Sequence, residues 1–99
     1  MLFLISQNYK IEIIIYHTVV TTQTLDQLKK GERATVIKFR EELLAKRLQE
    51  MGLYIGSMIT IKAKAPLGNP IAIDLGDFAL SIRKQEAEKI EVSTYANKE

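Results

Sequence analysis

One histidine, His17, and no cysteine set the first limit on the chemistry available to this chain. Zinc and iron–sulfur sites draw on clustered Cys and His, and a ferrous site on His or grouped carboxylates. One isolated imidazole supplies neither. The carboxylate pairs Glu41/Glu42 and Glu86/Glu88 fall where acidic residues stabilise helix ends, which accounts for them without a metal. Ser57, Ser81 and Ser93 have no histidine base in their part of the chain, and thiolate chemistry is excluded. No Gly-x-x-x-x-Gly-Lys-Ser/Thr run is present to cradle a phosphate. The residue inventory therefore predicts a non-enzymatic protein with no cofactor and no tight iron site.

What remains is recognition. The run Pro66-Leu67-Gly68-Asn69-Pro70 is the strongest candidate. Two prolines stiffen it, Gly68 and Asn69 permit a turn, and Leu67 sits at the tip. Leu67 has two readings: it folds back to cap the end of the fold, or it stands out as an anchor for a protein partner. Arg47 is expected on the solvent side of a helix, a second candidate for contact with an acidic partner. Lys38, Arg40, Lys62, Lys64, Arg83 and Lys84 offer a basic surface. Binding of nucleic acid on a sheet calls for aromatic stacking platforms and a basic excess, whereas this chain has no Trp and a net charge of +2. No nucleic acid is expected as a partner.

The elements that must position these residues follow from spacing. At 99 residues the chain holds one small domain. Thr24 to Gln27 reads as a capping box opening a short helical turn that Gly31 ends. Residues 32–39 read as a strand with Ala34 and Val36 on one face. Residues 41–51 read as a helix with Leu44, Leu48 and Met51 as its buried stripe. Residues 57–65, 71–75 and 78–83 read as strands, with Ile59, Ile61, Ala63, Ile71, Ile73, Phe78, Leu80 and Ile82 facing inward. Gly76-Asp77 makes a two-residue hairpin that pairs Ile73 with Leu80 and Ile71 with Ile82. The five-residue loop pairs Ala63 with Ile73 and sets Lys62 opposite Asp74. A helical turn over 84–89 and a strand over 90–92 close the fold. Five short strands with one inserted helix predict a mainly β, small, partly open barrel.

In order along the chain stand Leu25-Asp26-Gln27-Leu28-Lys29-Lys30-Gly31, Arg47-Leu48-Gln49-Glu50-Met51-Gly52-Leu53, Ala65 to Pro70, and Leu80-Ser81-Ile82-Arg83 with Glu86-Ala87-Glu88-Lys89-Ile90. Together they resemble the ferrous iron transport protein A family, the FeoA domain, from Leu25 to Val92. The resemblance implies an SH3-like barrel. It also implies an accessory role beside ferrous iron transport protein B, a membrane permease with a cytosolic GTP-binding domain. The same barrel resembles the C-terminal domain of iron-dependent repressors. The alternative is therefore a regulatory or nucleic-acid-binding module in metal-dependent transcription control, although the helix pair that reads DNA is missing here.

Residues 24–93 form the predicted domain, and 94–99 read as a frayed tail. Residues 1–23 lie outside the resemblance and read as an apolar extension. Gln7, Asn8, Lys10, Glu12 and His17 interrupt it too often for a membrane span of about 20 apolar residues. It lacks the layout of a signal peptide. The chain is expected in the cytoplasm, without membrane insertion, reaching the inner face of the membrane through its partner. The β-rich extension would be an aggregation hazard as a bare edge, so it is expected as an extra strand on the barrel or across a homodimer. An upstream start codon is the other reading of its presence.

Overall fold

The structure, a computed structural model, describes the backbone of residues 2–7, 10–15 and 18–97 and the side chains of 21–94. His17 lies outside the described residues, as do the last two of the tail. The strands are β1 (Leu2–Gln7), β2 (Lys10–Ile15), β3 (Thr18–Thr24), β4 (Arg33–Phe39), β5 (Met58–Lys64), β6 (Ile71–Asp74), β7 (Ala79–Ile82) and β8 (Ile90–Asn97). Two helices interrupt them, α1 (Glu42–Glu50) and the single turn α2 (Lys84–Ala87). All strand pairs are antiparallel, in the order β1-β2-β3-β8-β4-β5-β6-β7. The sheet does not close, so the fold is mainly β, an open antiparallel sheet with one main helix.

The core lies inside the curl of β4 to β8. Leu25, Val36, Leu48, Ile59, Ile73 and Ile90 are all fully enclosed there. Each such side chain contributes roughly 1.5–3 kcal/mol by leaving water. The β6–β7 hairpin holds the expected register, Ile71 opposite Ile82 and Ile73 opposite Leu80. Asp74 Oδ1 accepts the Gly76 N–H at 2.9 Å, which tightens the turn.

Several expectations are corrected. The β5–β6 register shifts between Ile61 and Ala63, so Asp74 faces Thr60 and the Lys62–Asp74 pair does not form. The bulge turns Ala63 outward. Thr24 makes no side-chain cap; its hydroxyl bonds Asp26 Oδ1 at 2.5 Å instead, and Leu25–Gln27 is a single 3-10 turn. Met51 is 44% exposed, and Leu53 takes the place in the core expected for it. The cause is the way α1 ends. Gly52 adopts φ 101, Leu53 N–H bonds the Leu48 carbonyl at 2.9 Å and Gly52 N–H that of Gln49 at 3.0 Å. This Schellman closure folds the residue after the glycine back onto the helix. Phe78, expected inward, is half-exposed at the barrel rim. The closing strand runs past residue 92 to Asn97, so most of the expected tail pairs with β3.

Among the described residues of the N-terminal extension, β1, β2 and β3 pair in sequence order, three strands where one was expected. Its last strand, β3, pairs with β8 from Thr18–Asn97 to Thr24–Glu91. No helix among the described residues is long and apolar enough to cross a membrane.

Candidate partner-docking site

The loop between β5 and β6 is built to project one side chain. Its ends are tied where Ala65 N–H bonds the Pro70 carbonyl at 3.1 Å. Gly68 N–H then bonds the Ala65 carbonyl at 2.7 Å, closing a turn with Pro66 second and Leu67 third. Pro66 presets its own φ, but the third position of such a turn demands a positive φ and normally takes Gly or Asn. Here Leu67 occupies it, at φ 70 and ψ 8. A left-handed backbone costs an L-residue about 1–2 kcal/mol. Packing does not offset that cost, because Leu67 is 97% exposed. Of its two readings, folding back onto the barrel is not what the structure shows.

The loop is braced against the rest of the fold. The Asn69–Pro70 peptide bond is cis. Asn69 Oδ1 accepts the N–H of Lys84, the first residue of α2, at 3.1 Å. In α2, Glu86 accepts the Arg83 N–H through Oε1 at 3.0 Å and the Arg47 guanidinium of α1 through Oε2. Loop, α2 and α1 thus form one hydrogen-bonded chain from Asn69 through Lys84 and Glu86 to Arg47. Arg47, expected to face solvent alone, is partly engaged inside the molecule but keeps 54% of its side chain exposed. A shallow groove between α1 and α2 runs past Arg47, with Leu43 on its rim and Gln85 and Lys89 opposite.

Sequence reasoning read Glu86 as a helix-end carboxylate and missed its bridging role. The signal was present: a carboxylate three residues after the residue preceding a helix reaches back to that residue's N–H. Asn69 likewise was read as a turn former and not as a brace. The expected basic surface is broken up. Lys64 Nζ donates to the carbonyls of Asp26 and Leu28 at 2.9 and 3.0 Å, and Arg40 pairs with Glu91 at 3.1 Å. Among the described residues, no group of three or more His, Cys, Asp or Glu converges to hold a metal ion. What the arrangement offers chemically is one exposed apolar side chain on a braced loop, linked through α2 to a half-exposed guanidinium.

Comparison with known proteins agrees with the fold. The model of the FeoA domain family matches residues 23–94. A Porphyromonas gingivalis protein described as an Fe(2+) transport protein A/Fe(2+) transporter FeoB fusion protein is 35% identical over 69 residues. The match covers 69% of this chain but 8% of that relative. The solution structure of the Chlorobium tepidum FeoA protein superposes with a TM-score of 0.66 and 37% identity, over 71% of this chain and 68% of that one. The crystal structure of Stenotrophomonas maltophilia FeoA complexed with zinc, described as a prokaryotic SH3 domain protein, gives a TM-score of 0.64 and 25% identity. It covers 78% of this chain and 99% of that one.

Proposed function

The chain belongs to the FeoA domain family, and from that premise we propose that it is a non-catalytic accessory module of ferrous iron uptake. It acts by protein contact with a GTP-binding membrane iron permease of the ferrous iron transport protein B type. Its place is the cytosolic side, peripheral to the membrane through that partner. The relative in which transport protein A and FeoB share one chain supports the pairing. A covalent link raises the effective concentration of two domains to roughly millimolar, so a modest interface suffices to hold them together.

The observation that carries this reading is Leu67, a wholly exposed leucine in a left-handed conformation on a loop tied at both ends. A strained, exposed apolar residue with no packing role inside its own domain fits an anchor that is desolvated by a partner. Pro66, Gly68, Asn69 and Pro70 hold it in place, and Arg47 lies along the same braced surface as a polar contact at the rim.

The test is calorimetric titration of the protein into the whole permease in lipid nanodiscs, with and without guanine nucleotide. Saturable binding that Leu67→Asp weakens by about 30-fold, a hot-spot loss of ~2 kcal/mol, is the expected result. Absence of binding in every nucleotide state would overturn the permease role. Binding indifferent to Leu67→Asp would remove the loop from it.

A further inference from the structure

We infer that β1 is a self-pairing edge, through which two copies of this chain join antiparallel into one continuous sheet centred on Leu4.

The described sheet has two ends, β1 and β7, and they are defended unequally. β7 is four residues long, with Asp77 just before it and Arg83 and Lys84 just after. Short length and flanking charge are the usual protection of an edge against strand addition. β1 is six residues long, Leu-Phe-Leu-Ile-Ser-Gln, with neither charge nor proline. The charges of this region, Lys10 and Glu12, stand one strand further in, on β2. An edge that is long, apolar and uncharged is a template for another strand.

The register carries the same message. One set of rows places Leu2 opposite Ile15 and Leu4 opposite Ile13, with Val20 and then Tyr95 following Ile13 across β3 and β8. Leu2 and Leu4 share one face of the sheet because they are two apart. The alternate row places Phe3, Ile14, Val19 and Ala96 in line on the other face. Both faces of β1 thus carry apolar residues at the edge, while the polar partners in these rows, Glu12 opposite Ile5 and Thr22 opposite Ile11, stand further in.

A second copy is the occupant that this strand's own sequence selects. Two identical antiparallel edges are related by a two-fold axis normal to the sheet, and opposed residues must share a face. Only registers centred on a residue meet that condition. Centring on Leu4 sets Leu4 against Leu4 and Phe3 against Ile5 on each side of the axis, leaving Leu2 opposite Ser6. Centring on Ile5 sets Phe3 against Gln7 and Leu4 against Ser6, wasting the apolar positions. Centring on Phe3 is apolar throughout but pairs only Leu2 to Leu4 of β1, so ladder length and cross-strand apolar pairs together favour the first arrangement. Such an isologous contact closes after two copies and removes the exposed edge.

The absence of cysteine makes the test clean. Sedimentation equilibrium of the full chain at micromolar concentration is expected to give twice the 11.3 kDa monomer mass. Leu4→Lys is expected to return the monomer mass with an unchanged barrel melting temperature. Leu4→Cys is expected to form an intermolecular disulfide under mild oxidation, because directly opposed Cα atoms lie about 4.5–5.5 Å apart, within the reach of a disulfide. Ser81→Cys on β7 serves as the control and should stay reduced. A monomeric native chain, open-ended growth into fibres, a Leu4→Lys dimer, or equal cross-linking at both positions would each overturn the proposal.

Discussion

Two loops at the borders of β6 each bring a large apolar side chain to the surface, and the fold treats them differently. Phe78, beyond the tight Gly76-Asp77 turn, is 43% exposed, yet its ring lies over Gly52 at the end of α1. A Cβ on Gly52 would stand 2.6 Å from the Phe78 ring, so the two residues are fitted to one another. Leu67, on the other loop, has no such counterpart and is held in a backbone conformation that leucine disfavours. An exposed apolar residue is informative only after its own packing is accounted for. Phe78 covers Gly52, whereas Leu67 is 97% exposed, which is why we propose Leu67 and not Phe78 as the docking anchor.

Substitutions can break this contrast. The largest effect is expected from Leu67→Asp: permease affinity falls by about 30-fold, while the melting temperature stays unchanged because the residue has no folded-state contacts to lose. A parallel drop in melting temperature, read by differential scanning calorimetry, would make Leu67 structural after all. Next comes Gly52→Ala, which meets the Phe78 ring and forces an L-residue to φ 101. A loss of about 2 kcal/mol is expected, lowering the melting temperature by roughly 10 °C in a domain this small. If the variant melts like the native chain, Phe78 is not packed as described and becomes a second free anchor.

Asn69→Ala should act on both sides of the contrast. It strips the Lys84 N–H of its acceptor, with an expected stability loss of about 1 kcal/mol by urea denaturation. It should also weaken permease binding with Leu67 still present, because the loop loses its brace. The smallest effect belongs to Leu67→Gly. Relief of the left-handed strain exceeds the added freedom of the unfolded chain, so a gain of about 0.5 kcal/mol is expected while affinity drops. A destabilised Leu67→Gly variant would show that leucine makes contacts in its own domain.

Much of this arrangement was legible in the sequence, for identifiable reasons. The β6–β7 hairpin was readable because Gly76-Asp77 fixes the turn and the alternation of Ile71, Ile73, Leu80 and Ile82 fixes the faces. The order of motifs disclosed the family and, with it, the barrel. The bulge at Lys62 was not readable, since nothing in Ile-Lys-Ala-Lys marks where a ladder slips. Met51 fits a helical stripe as well as any core residue does. Only the glycine closure of α1 passes its place to Leu53, which the Leu-x-x-Met-Gly-Leu spacing announces in retrospect. For the candidate site, turn chemistry identified the loop, but no local pattern set the positive φ of Leu67 or its full exposure. The chain from Asn69 to Arg47 joins residues 22 positions apart through α2, a link that no local pattern contains.

The contrast between the two loops is tested most directly by photo-crosslinking. A benzophenone amino acid is placed at position 67 in one sample and at position 78 in another, each with the whole permease in nanodiscs. Covalent capture of the permease from position 67, with none from position 78, is the expected result. Capture from 78 alone, or equally from both, would contradict the assignment of the Pro66–Pro70 loop as the docking anchor.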